Sequence, residues 1–105
     1  FLRGGAGINV MARQVGARVI IVDMGVAAEL EAEARLLSVR VAPGTQNMAR
    51  GPAMTAAQAE AAIAAGIRIV VAEVAKGLDA VATGDMGIGN TTASSAICAV
   101  MTGRR

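Results

Sequence analysis

The sequence contains no histidine, tryptophan or tyrosine, and its 105 residues include one phenylalanine, one cysteine and two prolines. The lack of histidine excludes serine–histidine and cysteine–histidine catalysis, histidine-containing zinc sites and imidazole proton transfer. Proton transfer must use carboxylates, lysine or water, and the sequence predicts no metal site and no cofactor. The lone cysteine, Cys98, cannot form an internal disulfide, and its small apolar neighbours predict a buried, unreactive thiol.

Charge and hydropathy argue against several kinds of partner. The ten basic and eight acidic residues give a formal net charge of +2, and the basic residues are scattered without aromatic neighbours. This distribution argues against nucleic-acid binding. No apolar run approaches the roughly 18 residues of a membrane-spanning helix, and no secretion-signal pattern is seen. The sequence therefore predicts a cytoplasmic protein that binds neither nucleic acid nor membrane.

Hydrophobic residues make up 54% of the chain, but only 1% of the residues are aromatic. An aliphatic composition of this kind is typical of a buried parallel sheet covered by alanine-rich helices. The predicted fold class is therefore α/β, with a Rossmann-like parallel sheet and flanking helices. The six methionines are expected to fill the core, with Met86 the one candidate for a ligand pocket.

In the first half of the chain, apolar residues at helical spacing predict a helix over residues 7–14, ended by Gly16. The β-branched run Arg18–Asp23 predicts a strand that is buried on both faces. Helix propensity and alternating charges predict an exposed helix over residues 27–37, and a short strand is expected over residues 38–42.

Asp23 ends the first predicted strand. A carboxylate at the carboxyl end of a parallel strand lies where α/β proteins bind their ligands, which makes Asp23 a pocket candidate. The competing interpretation is an ordinary turn residue, since aspartate is common in turns.

A capping box marks the start of the longest predicted helix, because Thr55 is followed three residues later by Gln58. An apolar stripe continues in phase through Gly66, which favours one helix ending at Gly77 over a helix followed by a strand. The stripe residues are Ile63, Ile67, Val70, Val74 and Leu78.

Residues 78–83 are predicted as a second strand, and residues 93–101 as the last helix. With the strand over residues 18–23 and the long helix, this second strand would complete a right-handed βαβ unit. The chain is thus expected to be a single α/β unit over residues 1–105.

The turn before the last helix is rich in glycine and reads Gly84-Asp85-Met86-Gly87-Ile88-Gly89-Asn90-Thr91-Thr92. The N–H groups of such a turn, together with the positive end of a helix, bind anions. Asn90 stands where a P-loop has lysine, and Thr92 stands where a dinucleotide-binding loop has its third glycine. The phosphate of a phosphorylated sugar is therefore the favoured ligand. The alternative is a tight turn that only caps a helix.

The segment GDMGIGNTTA, residues 84–93, resembles the G-E-M-G-I-G-N-T-T-A signature of nicotinate-nucleotide–dimethylbenzimidazole phosphoribosyltransferases, which make the lower ligand of cobalamin. Three further segments agree with this family in order and spacing. They are FLRGG followed by AGINV (residues 1–10), VDMGV (residues 22–26), and APGTQNM (residues 42–48) closed by PAMT (residues 52–55). One departure is Asp85, which is one methylene shorter than the family's glutamate.

The resemblance implies a pentosyltransferase, which transfers phosphoribose from nicotinate mononucleotide to 5,6-dimethylbenzimidazole and yields α-ribazole 5′-phosphate and nicotinate. Asp85 is then the candidate catalytic residue, facing the ribose or the base. The phosphate-binding candidates, led by the N–H groups of the loop, are Gly84, Gly87, Ile88, Gly89, Asn90 and Thr91.

Members of this family are about three times longer than the present chain, so the chain is expected to be a central slice of their large domain. The resemblance places the main general base, and most of the benzimidazole-binding residues, outside the slice. We therefore expect the isolated chain to be inactive, and the family resemblance implies a homodimer. The alternative is a non-catalytic module or subunit of the same fold that binds a phosphorylated ligand.

Overall fold

The structure is a computed structural model that describes residues 1–86 and 88–104. These residues contain two short parallel strands and three helices. Their order is α1 (Gly7–Val15), β1 (Ile21–Asp23), β2 (Leu36–Ser38), α2 (Ala56–Val74) and α3 (Asn90–Thr102). The combination of a parallel sheet with helices confirms the predicted α/β class.

Helix α1 begins and ends as its sequence predicts. Gly16 follows its last residue with φ 68°, a left-handed conformation that glycine adopts without steric cost. The N–H group of Gly16 donates to carbonyls of the last turn, and the N–H group of Ala17 donates to the carbonyl of Ala12 across 2.9 Å. From the last turn, the Arg13 guanidinium donates to the carbonyl of Gly4 across 2.9 Å, which links the helix to the segment that precedes it.

The sheet is formed by β1 and β2, which run parallel with Ile21 opposite Leu36 and Asp23 opposite Ser38. Beyond the strands, the N–H of Val39 donates to the carbonyl of Asp23, and the N–H of Val41 to that of Met24. The two segments therefore stay together past the strand ends. The strand predicted over residues 18–23 is thus shorter than expected, because only its last three residues find a partner.

The helix predicted over residues 27–37 is wrong, and the strand predicted over residues 38–42 is misplaced. The chain is irregular from residue 24 to residue 35 and then enters β2. The physical reason is that helix propensity alone does not hold so short a helix. Backbone pairing with β1 therefore determines the structure of this segment.

Helix α2 is the single long helix that the capping box and the in-phase stripe predict, and Gly66 does not interrupt it. The N–H of Gln58 donates to the Thr55 hydroxyl across 3.2 Å, and the N–H of Thr55 donates to Oε1 of Gln58 across 2.8 Å. The helix ends in a turn before Gly77, which has φ 85°.

The second strand of the predicted βαβ unit is absent from the described residues. Residues 78–86 have no regular secondary structure, and β1 has β2 as its neighbour in the sheet. The parallel connection therefore runs through the irregular segment rather than through α2. Helix α3 is confirmed, and it begins three residues earlier than predicted.

The helices leave much of their apolar surface open. The chain exposes 8,635 Å², whereas a compact protein of this mass exposes about 5,400 Å². Of the apolar residues described, only Ala12 and Ala65 are buried. The apolar stripe that predicts α2 is not a buried face, since Ile63, Ile67 and Val74 are more than half exposed.

The residues of α2 that are less exposed form the neighbouring face, offset by one position along the helix. They include Gln58, Ala62, Ala65, Ile69 and Glu73. The predicted burial of Cys98 and of the methionines is also wrong, because the described residues form no second layer that covers the helices. Cys98 is exposed. Five of the six methionines are exposed as well: Met11, Met48, Met54, Met86 and Met101.

Candidate functional site

The glycine-rich loop leads directly into α3. Gly84, Asp85 and Met86 are exposed, and Ile88 projects fully into solvent. Gly89 is the N-cap residue of α3, with φ 83°, and its carbonyl accepts a hydrogen bond from the N–H of Thr92 across 3.1 Å. Glycine is required here for conformational reasons alone, because a Cβ at this position would meet open space. Gly87, which the sequence also singles out, lies outside the described residues.

The first turn of α3 presents backbone N–H groups at the loop. The N–H groups of Asn90 and Thr91 have no acceptor within their own helix, as is general for the first residues of an α-helix. No side chain caps this end. Asn90 is half-buried and Thr91 is exposed. The predicted phosphate-binding residues Gly89, Asn90 and Thr91 are therefore brought together at the positive end of one helix, where an anion is stabilised.

Asp85 is tied to the start of the same helix. Nδ2 of Asn90 donates a hydrogen bond to Oδ2 of Asp85 across 2.9 Å. Hydrogen bonds to an ionised carboxylate are roughly twice as strong as those between neutral groups. This bond connects the two ends of the loop and places the only carboxylate of the loop beside the N-terminus of α3.

The structure shows Asp23 as a turn residue. Its carboxylate is 5% exposed, and Oδ1 accepts hydrogen bonds from the N–H groups of Gly25 and Val26 across 2.9 and 2.8 Å. Strand β1, which ends at Asp23, does not come within 8 Å of α3 between any pair of Cα atoms. The structure thus does not bring Asp23 to the start of α3, and a role for it in a ligand pocket stays a prediction.

An ionic cluster that the sequence analysis did not predict joins the end of α2 to the segment before β1. Glu73 is 8% exposed, and its carboxylate is 2.7 Å from both the Lys76 ammonium and the Arg18 guanidinium. The hydrogen bond from Lys76 and the positive charge of Arg18 outweigh burial and lower the pKa of the Glu73 carboxyl. The only signal in the sequence was the spacing of three residues between Glu73 and Lys76, which places both on one helix face.

Two clefts open on the surface of the described chain. One, of about 220 Å³, lies beyond the carboxyl end of the sheet, and the other, of about 320 Å³, lies beside Glu73 and Lys76. Neither of these clefts is lined by residues of the glycine-rich loop. The first is almost entirely apolar, with Met24, Ala42, Met54 and Ala62 among its walls.

The described residues contain no group of three or more histidine, cysteine, aspartate or glutamate side chains arranged to hold a metal ion. The search of the same residues for a helix long and apolar enough to cross a membrane found none.

The structure combines a parallel sheet, helices and a glycine-rich loop that leads directly into a helix. These features define part of an α/β protein, and the loop is of a type that can bind anions. The chain belongs to the phosphoribosyltransferase family, whose model matches residues 1–105.

Curated relatives and solved structures agree with this family. The chain is 59% identical over 104 residues to a nicotinate-nucleotide–dimethylbenzimidazole phosphoribosyltransferase of Desulforudis audaxviator, and 60% identical to one of Dehalococcoides mccartyi. In both comparisons the match covers 99% of this chain but 30% of the relative. The crystal structure of the Thermus thermophilus enzyme of the same name superposes with a TM-score of 0.94 at 47% identity, over 99% of this chain and 32% of that one. The chain therefore corresponds to a partial domain, about 30% of the length of these relatives.

Proposed function

We propose that this chain forms the phosphate-binding segment of an enzyme that transfers phosphoribose from nicotinate mononucleotide to 5,6-dimethylbenzimidazole. The observation that supports this most directly is the position of the signature loop. Its residues Gly89, Asn90 and Thr91 form the open N-terminus of α3, in a chain that is 59% identical to a relative named for this reaction. Soluble, cytoplasmic homodimers are the expected form of the whole protein.

In the proposed reaction, the bond between C1′ of the ribose and the nicotinate nitrogen breaks, and a bond between C1′ and an azole nitrogen forms. The electron pair of the broken bond leaves with nicotinate, and the azole N–H loses its proton to a carboxylate. The ribose carries positive charge as the first bond breaks, so catalysis depends on holding it in line between the two bases.

The residues of this chain supply the anchor for that alignment. The N–H groups of Asn90 and Thr91 would bind the 5′-phosphate, helped by the positive end of α3 and by the Thr91 hydroxyl. Gly84, Gly87 and Ile88 would complete the loop around it, and Met86 would contribute an apolar wall. Asp85, next to this anchor, would face the ribose, where a negative charge stabilises the developing positive charge.

A second candidate is a module that binds a phosphorylated ligand without catalysing transfer. One observation favours it: Asp85 stands where the family signature has glutamate.

A chimera separates the two functions. Residues 1–104 replace the matching third of the Thermus thermophilus enzyme, whose backbone they follow with a TM-score of 0.94. The proposal predicts that this chimera converts nicotinate mononucleotide and dimethylbenzimidazole into α-ribazole 5′-phosphate. Binding of nicotinate mononucleotide without turnover would support the non-catalytic module instead. A folded chimera that does neither would contradict both.

Two loop variants of the chimera test the residues. Gly89→Val forces a β-branched residue into a left-handed conformation, which costs about 1–2 kcal/mol, so binding is expected to weaken about tenfold. Asp85→Ala is expected to lower kcat while nicotinate mononucleotide still binds. The unmodified Thermus thermophilus enzyme is the positive control.

A further inference from the structure

Two facts about the start of α3 need a common explanation. The Asn90 side chain donates to Oδ2 of Asp85 across 2.9 Å. At the same place, the N-cap residue is Gly89, and no side chain bonds the N–H groups of the first turn. A carboxylate thus lies beside N–H groups that lack an acceptor in their helix, yet it does not cap them.

An unrestrained carboxylate in this position would be drawn onto those N–H groups. Aspartate is among the preferred residues for capping a helix, and the positive end of the helix attracts any anion nearby. If Asp85 bonded these groups, it would occupy the donors that the phosphate of a substrate needs. It would also repel that phosphate through its own negative charge. The loop can bind phosphate only if the carboxylate is kept to one side.

We infer that Asn90 is a positioning residue, whose side-chain amide holds the Asp85 carboxylate away from the first N–H groups of α3 and keeps them open to the substrate's phosphate. This inference rests on the proposed function and extends it. In this arrangement the side-chain amide of Asn90 bonds Asp85, and only the backbone N–H of Asn90 binds the phosphate. Oδ1 of Asp85 is then the oxygen left to face the ribose.

The test is a double-mutant cycle in the chimera, with nicotinate mononucleotide as the ligand and calorimetry as the measurement. Asn90→Ala releases the carboxylate onto the N-terminus of α3, so the Kd is expected to rise about tenfold, the size of one hydrogen bond to a charged group. Asp85→Ala removes the competing anion. In that background, Asn90→Ala is expected to change the Kd by less than about twofold, because no carboxylate remains to be held.

Two outcomes would overturn the inference. If Asn90→Ala alone leaves the Kd unchanged, the side chain has no positioning role. If Asn90→Ala weakens binding equally with and without Asp85, the amide is itself a phosphate ligand. Gln14→Ala is the matched control, since it removes an exposed amide from α1, and its Kd is expected to stay within about twofold of the parent's.

A spectroscopic readout separates this inference from the proposed function, whose failure would appear in the parent chimera as absent turnover. After selective ¹⁵N-asparagine labelling, the side-chain amide signals of Asn90 are assigned by their loss in Asn90→Ala. They are expected to shift when Asp85 is replaced by alanine. Unchanged signals would contradict the inference, whether or not the parent chimera is active.

Discussion

At the scale of single residues, the turn after β1 depends on one close backbone approach. Gly25 follows the buried Asp23, which accepts its N–H, and the carbonyl of Gly25 accepts the N–H of Gly44 across 2.8 Å. A Cβ at Gly25 would lie 2.7 Å from the carbonyl oxygen of Ala42. Because that oxygen belongs to the backbone, it cannot move aside without disturbing the segment that follows β2.

Gly25→Ala is therefore expected to lower the free energy of unfolding of the chimera by about 1–3 kcal/mol, the usual cost of forcing extra atoms into a packed site. Denaturant unfolding measures it. Gly51→Ala is the matched control, because a Cβ at Gly51 meets no atom within 4 Å. Equal effects at the two glycines would show that the contact with Ala42 does not matter.

The sequence alone predicts which residues form the loop but not how their side chains interact. Gly89 and Thr91 belong to a signature, so their place at the start of α3 was foreseeable. The Asn90–Asp85 bond was not, because it depends on the path of the chain between them. Asp23 shows the same limit: the sequence allowed either a ligand residue or a turn residue, and the hydrogen bonds to Gly25 and Val26 show the turn.

At the scale of elements, helices were predicted more successfully than strands. Helices α1 and α2 carry local signals: a glycine just past the end of α1 and a capping box at the start of α2. Strands depend on partners distant in sequence. Residues 78–83 and residues 18–23 were both predicted as strands, yet only the last three residues of the earlier segment pair, and they pair with β2.

The burial of α2 shows why its packing could not be predicted. The helix carries two apolar stripes one position apart, one through Ile63 and Ile67 and the other through Ala62 and Ala65. A helix that is apolar on most sides is typically buried on most sides. Nothing in the sequence indicates which stripe is covered within this chain, and the structure shows that it is the one with the smaller side chains.

The capping box of α2 gives a direct test at this scale. Thr55→Ala removes the acceptor for the N–H of Gln58, and the expected loss of stability is about 1 kcal/mol. The thermal unfolding midpoint of the chimera measures it. Thr83→Ala is the control, since Thr83 is exposed and lies outside the helices and strands. A loss as large at Thr83 would contradict a specific role for the cap.

The ionic cluster connects the last turns of α2 to the segment before β1, and it predicts a pH dependence. The pKa of Glu73 is lowered in the folded protein by Lys76 and Arg18. Its ionised form therefore stabilises the fold above the pKa that glutamate has in the unfolded chain. This contribution is lost as the pH falls through the lower pKa of the folded state.

Glu73→Gln is accordingly expected to lower the stability of the chimera at pH 7 more than at pH 3, because pH 3 lies below the ordinary pKa of glutamate, where the contribution of the ionised form is reduced. Unfolding midpoints at the two pH values measure the difference. Glu60→Gln, at an exposed position of the same helix, is expected to have a small effect at both. A destabilisation by Glu73→Gln that is the same at both pH values would contradict the ionic account.

At the scale of the whole molecule, the chain has the backbone of part of a larger fold, and its apolar helix faces are left uncovered. Its radius of gyration is 15.4 Å, against about 13 Å for a compact domain of this length. Large apolar residues on α2 and α3 are exposed, among them Ile67, Ile97 and Val100. Since the relatives are about three times longer, their remaining residues could cover these faces. The partial domain was predictable from the resemblance, whereas the extent of exposure was visible only in the structure.

The central claim is that the loop and the start of α3 bind the phosphate of a nucleotide. A crystal structure of the chimera with nicotinate mononucleotide tests it most directly. The account predicts phosphate oxygens within about 2.7–3.2 Å of the backbone nitrogens of Asn90 and Thr91, the ordinary range for such hydrogen bonds. A bound nucleotide whose phosphate lies elsewhere, with the N–H groups of α3 unoccupied or capped by Asp85, would contradict it.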